Sequence, residues 1–434
     1  MTEPLKLGLA GLGTVGGGVL RLLAERSPDL SKRIGRPIEI VAVSALNRHK
    51  NRDIDISGFR FVADPVELAR DPEIDAFVEL IGGEEGVAKE SVEAALRAGK
   101  HVVTANKALL AHHGPALAAL AEKHGVALNF EGAVAGGIPV VKTIRESLQG
   151  NTISRVYGIL NGTCNYILTR MDREGASYPA ILAEAKALGY AEADESLDVD
   201  GWDTAHKASI LAFLAHGTWV PVEKMLVEGI TQVTQADLSF ARENGYAIKL
   251  LAVITRDAAN GEVFVRVHPA LIPSTKVLAN VNEVYNGISV TGDVVGETVY
   301  IGRGAGQDPT ASAVISDIAD AVILLNRGNS HLPELAETRA PLAPLQNITG
   351  RYYLRLEVKD EPGVLAKIAG ATAKLDVSIA SVLQRPSERP GAASLILTTH
   401  DSNEKAIRAT VRRLGKLSSV LGEPVLLRIA TFAG

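Results

Sequence analysis

Apolar residues in this chain keep two alternating rhythms. Leu5 to Ala10 is a nearly continuous apolar run, as in a strand buried on both faces, and helical spacing follows it through Leu23. The pairing recurs with strands at 38–44, 76–80, 101–104 and 127–130, a helix over 87–98 that Gly99 ends, and another that Leu109 begins. This alternation predicts an α/β unit on a parallel sheet. Beyond Pro139 the pattern changes. Residues 140–148 read as a helix and 153–160 as a strand, and the acidic stretch 189–207 runs into an amphipathic helix that starts near 200–203. Its apolar positions Ala205, Ala208, Ile210, Leu211 and Leu214 recur at helical spacing. Strands at 263–267, 288–292 and 297–301 indicate a mixed α/β domain, and residues 302–310 open a long apolar helix through Leu325 that returns to the first unit. After the proline-bearing stretch 326–343 the order is strand 352–358, helix 364–374, strands near 380–384 and 393–398, helix 404–414 and strand 425–429. That βαββαβ order is ferredoxin-like.

The expected domains are 1–135, completed by 305–328; 136–304; a linker at 329–350; and 351–434. A chain of 434 residues is long enough for such a division. With 22% charged residues and a net charge of −5, no global basic field favours nucleic acid or a membrane as partner. The single cysteine, Cys164, excludes an intramolecular disulfide framework and fits a reducing compartment. The N-terminus is unlike a cleavable signal and no apolar run approaches membrane-spanning length, so a soluble cytoplasmic protein is expected.

Gly11-Leu12-Gly13-Thr14-Val15-Gly16 lies between the first strand and the first helix. A glycine turn there brings backbone N–H groups up to a pyrophosphate, which makes the first unit a Rossmann-type dinucleotide-binding domain. The second strand ends without the acidic residue that usually receives the ribose hydroxyls. Asn47, Arg48, His49, Lys50 and Arg52 follow instead, after an insertion at 27–37, and Arg48 and Lys50 suit a ribose 2′-phosphate, favouring NADP(H) over NAD(H). A solvated basic loop is the alternative. Thr104 and Lys107 stand at a strand end, where ligands collect in open α/β sheets, so Lys107 is a candidate for the nicotinamide or the substrate. Glu131 adjoins a glycine-rich bend whose carbonyls can ligate a hard cation such as Na⁺, although such bends more often let backbones pass closely. Cys164 lacks a nearby histidine and reads as a buried core thiol rather than a nucleophile. Asp203 and Lys207, four residues apart, project from one helix face. An exposed ion pair is the ordinary reading of that spacing, but a dinucleotide site upstream needs a catalytic acid.

Taken together, GLGTVG, ELIGG, TANK, EGAVAGGIP, ILNGTCNYIL, the GYAEAD to DTAHK run, and GRGAG followed by PTASAV resemble the motifs of homoserine dehydrogenase, in that family's order and across essentially the whole chain. The C-terminal part is similar to an ACT regulatory domain, whose turn matches Asp360-Glu361-Pro362-Gly363. The resemblance implies NAD(P)-dependent interconversion of L-aspartate 4-semialdehyde and L-homoserine, in threonine, methionine and isoleucine biosynthesis. It implies that Lys207 is the proton donor, Asp203 its partner, Glu192 a substrate ligand, and Lys107 a residue near cofactor and substrate. Glu131, Val134, Gly136 and Ile138 would hold a monovalent cation, mostly through carbonyls, and Gly306 would be a further cofactor contact. An amino-acid effector, L-threonine first, is expected at the ACT module, together with a homodimer or homotetramer. Two other functions fit parts of the pattern: a semialdehyde dehydrogenase using Cys164, and a non-catalytic nucleotide and amino-acid sensor. No kinase-sized segment precedes Met1 or follows Pro344, so fusion to an aspartokinase is not expected.

Overall fold

The computed structural model describes residues 3–432 apart from 51, 53, 192–193, 328–340 and 345–346. The N-terminal unit places β1 (Leu5–Ala10), β2 (Ile38–Ser44), β3 (Arg60–Phe61), β4 (Ala76–Glu79), β5 (His101–Thr104) and β6 (Leu128–Asn129) in one parallel sheet, ordered β3-β2-β1-β4-β5-β6. The order reverses between β1 and β4, which opens the crevice where dinucleotides lie in this architecture. The connecting helices are α1 (Thr14–Ile34), α2 (Pro65–Arg70), α3 (Val87–Arg97) and α4 (Lys107–His124). Helix α1 continues through residues expected to form an insertion: Pro28 lies inside it, Ser31 Oγ donates to the Ser27 carbonyl at 2.7 Å, and left-handed Gly35 ends it.

The second unit contains α5 (Val140–Lys142), which relaxes into a π turn over Thr143–Ser147, then β7 (Ile153–Ile159), α6 (Gly162–Glu174), α7 (Tyr178–Ala187), α8 (Ser196–Val199) and α9 (Trp202–His216). It goes on through β8 (Leu226–Val227), α10 (Gln235–Glu243), β9 (Tyr246–Arg256), β10 (Val263–Pro273), β11 (Tyr285–Gly292) and β12 (Gly296–Arg303). The expected strand at 263–267 is the start of a much longer β10, with Pro269 inside it. Along one edge β10 pairs with β8 at Arg266 and Val267 and with β17 (Val425–Ile429) at Ala270 and Leu271, so Pro269 falls in the gap where no N–H is required. Helix α9 is not amphipathic as expected. Its residues from Asp203 to Leu214 are all buried, because it packs against α4 on one side and β9 and β10 on the other. Helix α11 (Gln307–Arg327) then returns to lie on α1, where Ala311, Val314 and Ile318 join Leu7, Leu9 and Val19 in one core.

The C-terminal module comprises β13 (Thr349–Lys359), α12 (Val364–Ala373), β14 (Ile379–Pro386), β15 (Ala392–Thr399), β16 (Ser402–Asn403), α13 (Glu404–Leu414) and β17. Its strands run β17-β13-β15-β14, the ferredoxin-like order. The module is not a detached tail. Through β17 it joins β10 in an 11-stranded sheet, and Asp237 of α10 accepts from Tyr353 Oη at 2.7 Å and from Arg355 Nε at 2.8 Å. Among the described residues no helix is long and apolar enough to cross a membrane. The expected linker lies largely outside the described residues; the part at 341–343 runs beside β10, where Val263 N donates to Pro341 O at 2.9 Å.

Candidate active site

The ends of β1, β4 and β5 are shaped by two close packings. A Cβ on Gly16 would stand 2.0 Å from the Gly11 carbonyl oxygen, and one on Gly11 (φ 98°) 2.2 Å from that of Leu80, so this turn closes only with glycine. A Cβ on Gly13, by contrast, would meet nothing within 4 Å, leaving open space above the start of α1. There Leu12, Gly13, Thr14, Lys50, Arg52 and Gln307 border a cavity of 220 Å³. Arg52 folds back over the turn, donating to the carbonyls of Leu12 and Asn47, and Gln307, just after left-handed Gly306, donates to the Thr14 carbonyl at 3.1 Å. Buried Glu79 accepts from Ile81 N at 2.7 Å, Gly82 N at 3.1 Å and Thr104 Oγ1 at 2.5 Å, tying β4 to β5. Asn106 caps α4 by accepting from Leu109 N at 3.1 Å and donates to Gly83 O at 2.6 Å. Lys107 is thereby fixed in the first turn of α4.

Facing it across the domain seam, buried Asp203 has both carboxylate oxygens engaged. Oδ1 meets Lys107 Nζ at 2.7 Å; Oδ2 accepts from Lys207 Nζ at 2.7 Å and from Asn161 Nδ2 at 2.9 Å. Burial pushes the Asp203 carboxyl up, but the ammonium groups of Lys207 and Lys107 outweigh it and hold it well below the usual carboxylate range. Lys207 also donates to Leu160 O at 2.7 Å, and burial brings its pKa down while Asp203 opposes the fall. Asn161 uses both ends of its amide. Its oxygen caps α6 by accepting from Cys164 N at 2.8 Å, and its nitrogen links Asp203 to Asp198 at 2.7 Å. The Asp198 carboxyl is raised by burial and by the Asp203 charge. The result is a buried ammonium held by Leu160 O and Asp203, with Lys107, whose side chain is 41% exposed, opening toward the cleft.

A family model described as homoserine dehydrogenase matches residues 139–319, the corresponding NAD-binding domain matches 11–131, and an ACT domain matches 352–419. The homoserine dehydrogenase of Pseudomonas aeruginosa is 44% identical over 98% of this chain and 99% of its own, and that of Neisseria gonorrhoeae is 44% identical over the same shares. The chain belongs to the homoserine dehydrogenase family. It is an NAD(P)-dependent oxidoreductase acting on a CH–OH group, and its ACT domain fits regulation by amino acids. Among solved structures, a homoserine dehydrogenase from Thiobacillus denitrificans superposes with a TM-score of 0.92 at 41% identity, covering 99% of this chain and 98% of that one. A hyperthermophilic archaeal homoserine dehydrogenase in complex with NADPH superposes with a TM-score of 0.61 at 26% identity, over 74% of this chain and 98% of that one.

Within this homoserine dehydrogenase fold, Thr104 is fully buried and its hydroxyl is spent on Glu79, so that hydroxyl is not free to meet a cofactor. Val15, in the first turn of α1, is half-buried and packs against the core. Arg48, in the turn beyond β2, lies 5.4 Å from the centroid of Phe61 in β3. The Glu131 carboxylate accepts from Val141 N at 2.9 Å and Lys142 N at 2.8 Å, capping α5, and is therefore engaged. Beyond it the loop turns through left-handed Ala135 (φ 52°) and Gly136 (φ 30°) between Val134 and Ile138. Cys164 is buried, with Sγ 3.2 Å from the Asp198 carbonyl, and burial pushes its thiol well above the ordinary range, which removes the thiolate that a cysteine-dependent dehydrogenase requires. Glu192 lies outside the described residues. Asn161, Asp198 and Glu79 were not anticipated; an asparagine between a strand and a helix is a capping signal, but its second role depends on segments distant in sequence.

Proposed function

We propose that Lys207 protonates the carbonyl oxygen of L-aspartate 4-semialdehyde as it is reduced to L-homoserine, and that Asp203 positions this ammonium and keeps it charged. The observation that carries the proposal is the Asp203 carboxylate shared between Lys207 and Lys107 in a buried seam. A fixed ammonium stabilises negative charge growing on the oxygen without reorganising, and a lysine pKa brought down by burial lies nearer to that of an efficient acid. Lys107, at the open side, holds the substrate or the nicotinamide end, and Glu192 receives the substrate amino group. NADP(H) is the favoured cofactor: Gly11, Gly13, Thr14, Val15 and Gly16 receive its pyrophosphate, Arg48 and Lys50 its 2′-phosphate, and Thr104 and Gly306 line it by backbone. The chemistry that the bound cofactor supplies is two-electron reduction of the aldehyde carbon. A monovalent cation such as Na⁺ suits the carbonyls of Glu131, Val134, Gly136 and Ile138, with the carboxylate of Glu131 left to cap α5. The Glu131 and Ile138 carbonyls also accept from Val134 N and Val140 N, which leaves each a second lone pair.

L-Threonine is the proposed effector, at the turn Asp360-Glu361-Pro362-Gly363, where left-handed Gly363 (φ 85°) opens α12 and its N–H groups. Such modules bind amino acids in pairs, so the assembly is a homodimer or homotetramer in the cytoplasm; β12 and β14 are the two ends of the 11-stranded sheet. The test of the catalytic assignment is Lys207→Ala. Turnover should fall by roughly 10² to 10⁴-fold with NADPH binding nearly unchanged, because a general acid acts in the transition state. Near wild-type turnover would remove Lys207 from the mechanism.

A further inference from the structure

A second group of ligating side chains lies on the same seam and takes no part in the chemistry above. Glu84, in the loop after β4, His112, on α4, and His206, on α9, bring one ligand atom each to within 4.8 Å of the others. His112 Nε2 stands 3.2 Å from Glu84 Oε2, and the two imidazoles meet edge to face with centroids 5.4 Å apart. On its other side, His112 Nδ1 lies 3.6 Å from a carboxylate oxygen of Glu223. A carboxylate behind the far nitrogen of a histidine fixes the ring and leaves Nε2 as the donor, the usual outer support of a metal-bound imidazole.

A plain ion-paired cluster would explain His112 between its two acids, but not His206. That ring is 8% exposed, and among the described residues it makes no hydrogen bond or ion pair. Donors around a tetrahedral ion bound at about 2.0 to 2.2 Å stand about 3.3 to 3.6 Å apart. Glu84 Oε2 and His112 Nε2, 3.2 Å apart, already stand at about that spacing.

We propose that Glu84, His112 and His206 form a site for a borderline divalent cation of the Zn²⁺ class. Two imidazoles and one carboxylate suit Zn²⁺, Co²⁺ or Ni²⁺ over Mg²⁺ or Na⁺, which prefer oxygen. The site is separate from the carbonyl loop after Glu131 and independent of the roles assigned to the lysines. It joins α4, which carries Lys107, to α9, which carries Lys207, so an ion there cross-links the two domains beside the cleft.

The test uses the full chain, stripped with a chelator and titrated with Co²⁺ by visible absorption. One Co²⁺ per chain should bind, be displaced by Zn²⁺ and be indifferent to excess Mg²⁺. Glu84→Gln and His112→Gln, both at solvent-accessible positions, should each weaken Co²⁺ binding by at least about 10-fold, while neighbouring His113→Gln should leave it unchanged. Absence of Co²⁺ binding by the parent chain, or equal binding by the parent and both variants, overturns the site.

Discussion

Replacing Asp203 by asparagine keeps the shape of the site and removes its one carboxylate between two ammonium groups. At an effective dielectric constant near 20, the 2.7 Å contact with Lys207 corresponds to a gross attraction of about 6 kcal/mol, much of it offset by the burial of both groups. Breaking one partner out of such a pair costs roughly 3 to 5 kcal/mol if the other stays charged. Neutralising a lysine of ordinary pKa 10.5 at pH 7 costs about 4.8 kcal/mol, at about 1.36 kcal/mol per pH unit. The two costs are comparable, so without Asp203 the Lys207 pKa falls further and its charged form is less favoured. Turnover in the reduction direction should fall about 10²-fold or more at pH 7, and its decline with rising pH should set in at lower pH than in the parent. NADPH absorbance followed across pH with L-aspartate 4-semialdehyde reads this directly. Stability should differ too. A depressed carboxyl contributes stability above its ordinary value of 3.8 that is lost as pH falls through its folded value, so the parent's advantage over the variant is full above pH 3.8 and shrinks in stronger acid. A pH–rate profile superimposable on that of the parent would refute the coupling between Asp203 and the Lys207 proton.

Arg48→Ala should raise the Michaelis constant for NADPH much more than that for NADH; equal effects return Arg48 to a solvated loop. Lys249 is buried among Asn165 Oδ1, Val281 O and Asn282 Oδ1, and burial lowers its pKa from 10.5 to about 8. The unfolded chain therefore holds the extra proton between those values, and the parent should gain up to about 3 kcal/mol relative to Lys249→Met as pH rises from 8 to 10.5, measured by urea unfolding; a constant difference would show Lys249 unshifted. L-Threonine should inhibit the full chain and lose its effect in Asp360→Ala. Truncation is a poorer test because removing β17 bares the edge of β10, and an unchanged response in Asp360→Ala would move the effector elsewhere.

What could be read in advance was whatever depends on neighbours in the chain. Leu5–Ala10, Ile38–Ser44, His101–Thr104 and the C-terminal Val425–Ile429 occupy the expected positions because strand pattern and turn chemistry agree there. The Asp203 and Lys207 pairing was visible as a helical spacing. Its other contacts were not, since Lys107, expected only near the nicotinamide or the substrate, and Asn161 reach Asp203 from different elements and no periodicity records such contacts. The nature of α9 was misjudged for the same reason: a helix enclosed by both domains needs no polar face, and its polar residues serve the site instead of solvent. Likewise the expected strand ended at 267, whereas β10 runs on through Pro269, whose missing N–H falls in the gap between its two partners on that edge.

The join between the ACT module and the larger sheet bears on how regulation can reach the chemistry. Arg408 and Arg428 of the module converge on Glu228; Arg408 Nη2 donates to it at 2.8 Å, while buried Arg428 also donates to Glu404 at 2.6 Å. Burial raises the Glu404 carboxyl, but Arg428 and its other partners outweigh this and bring it to about 2, so the network stays charged throughout the physiological range. Immediately after Glu228, a Cβ on Gly229 would lie 2.1 Å from the Val199 carbonyl oxygen, to which Ile230 N donates at 2.9 Å. Val199 follows Asp198, whose carboxylate accepts from the amide of Asn161 that also holds Asp203. These contacts are short and mostly buried, so a shift of the module that moves Glu228 has little slack to be absorbed before it reaches the carboxylate between the two lysines. An effector exploits that path only by binding one arrangement of the modules more tightly than the other, and the size of its effect is bounded by that difference in affinity.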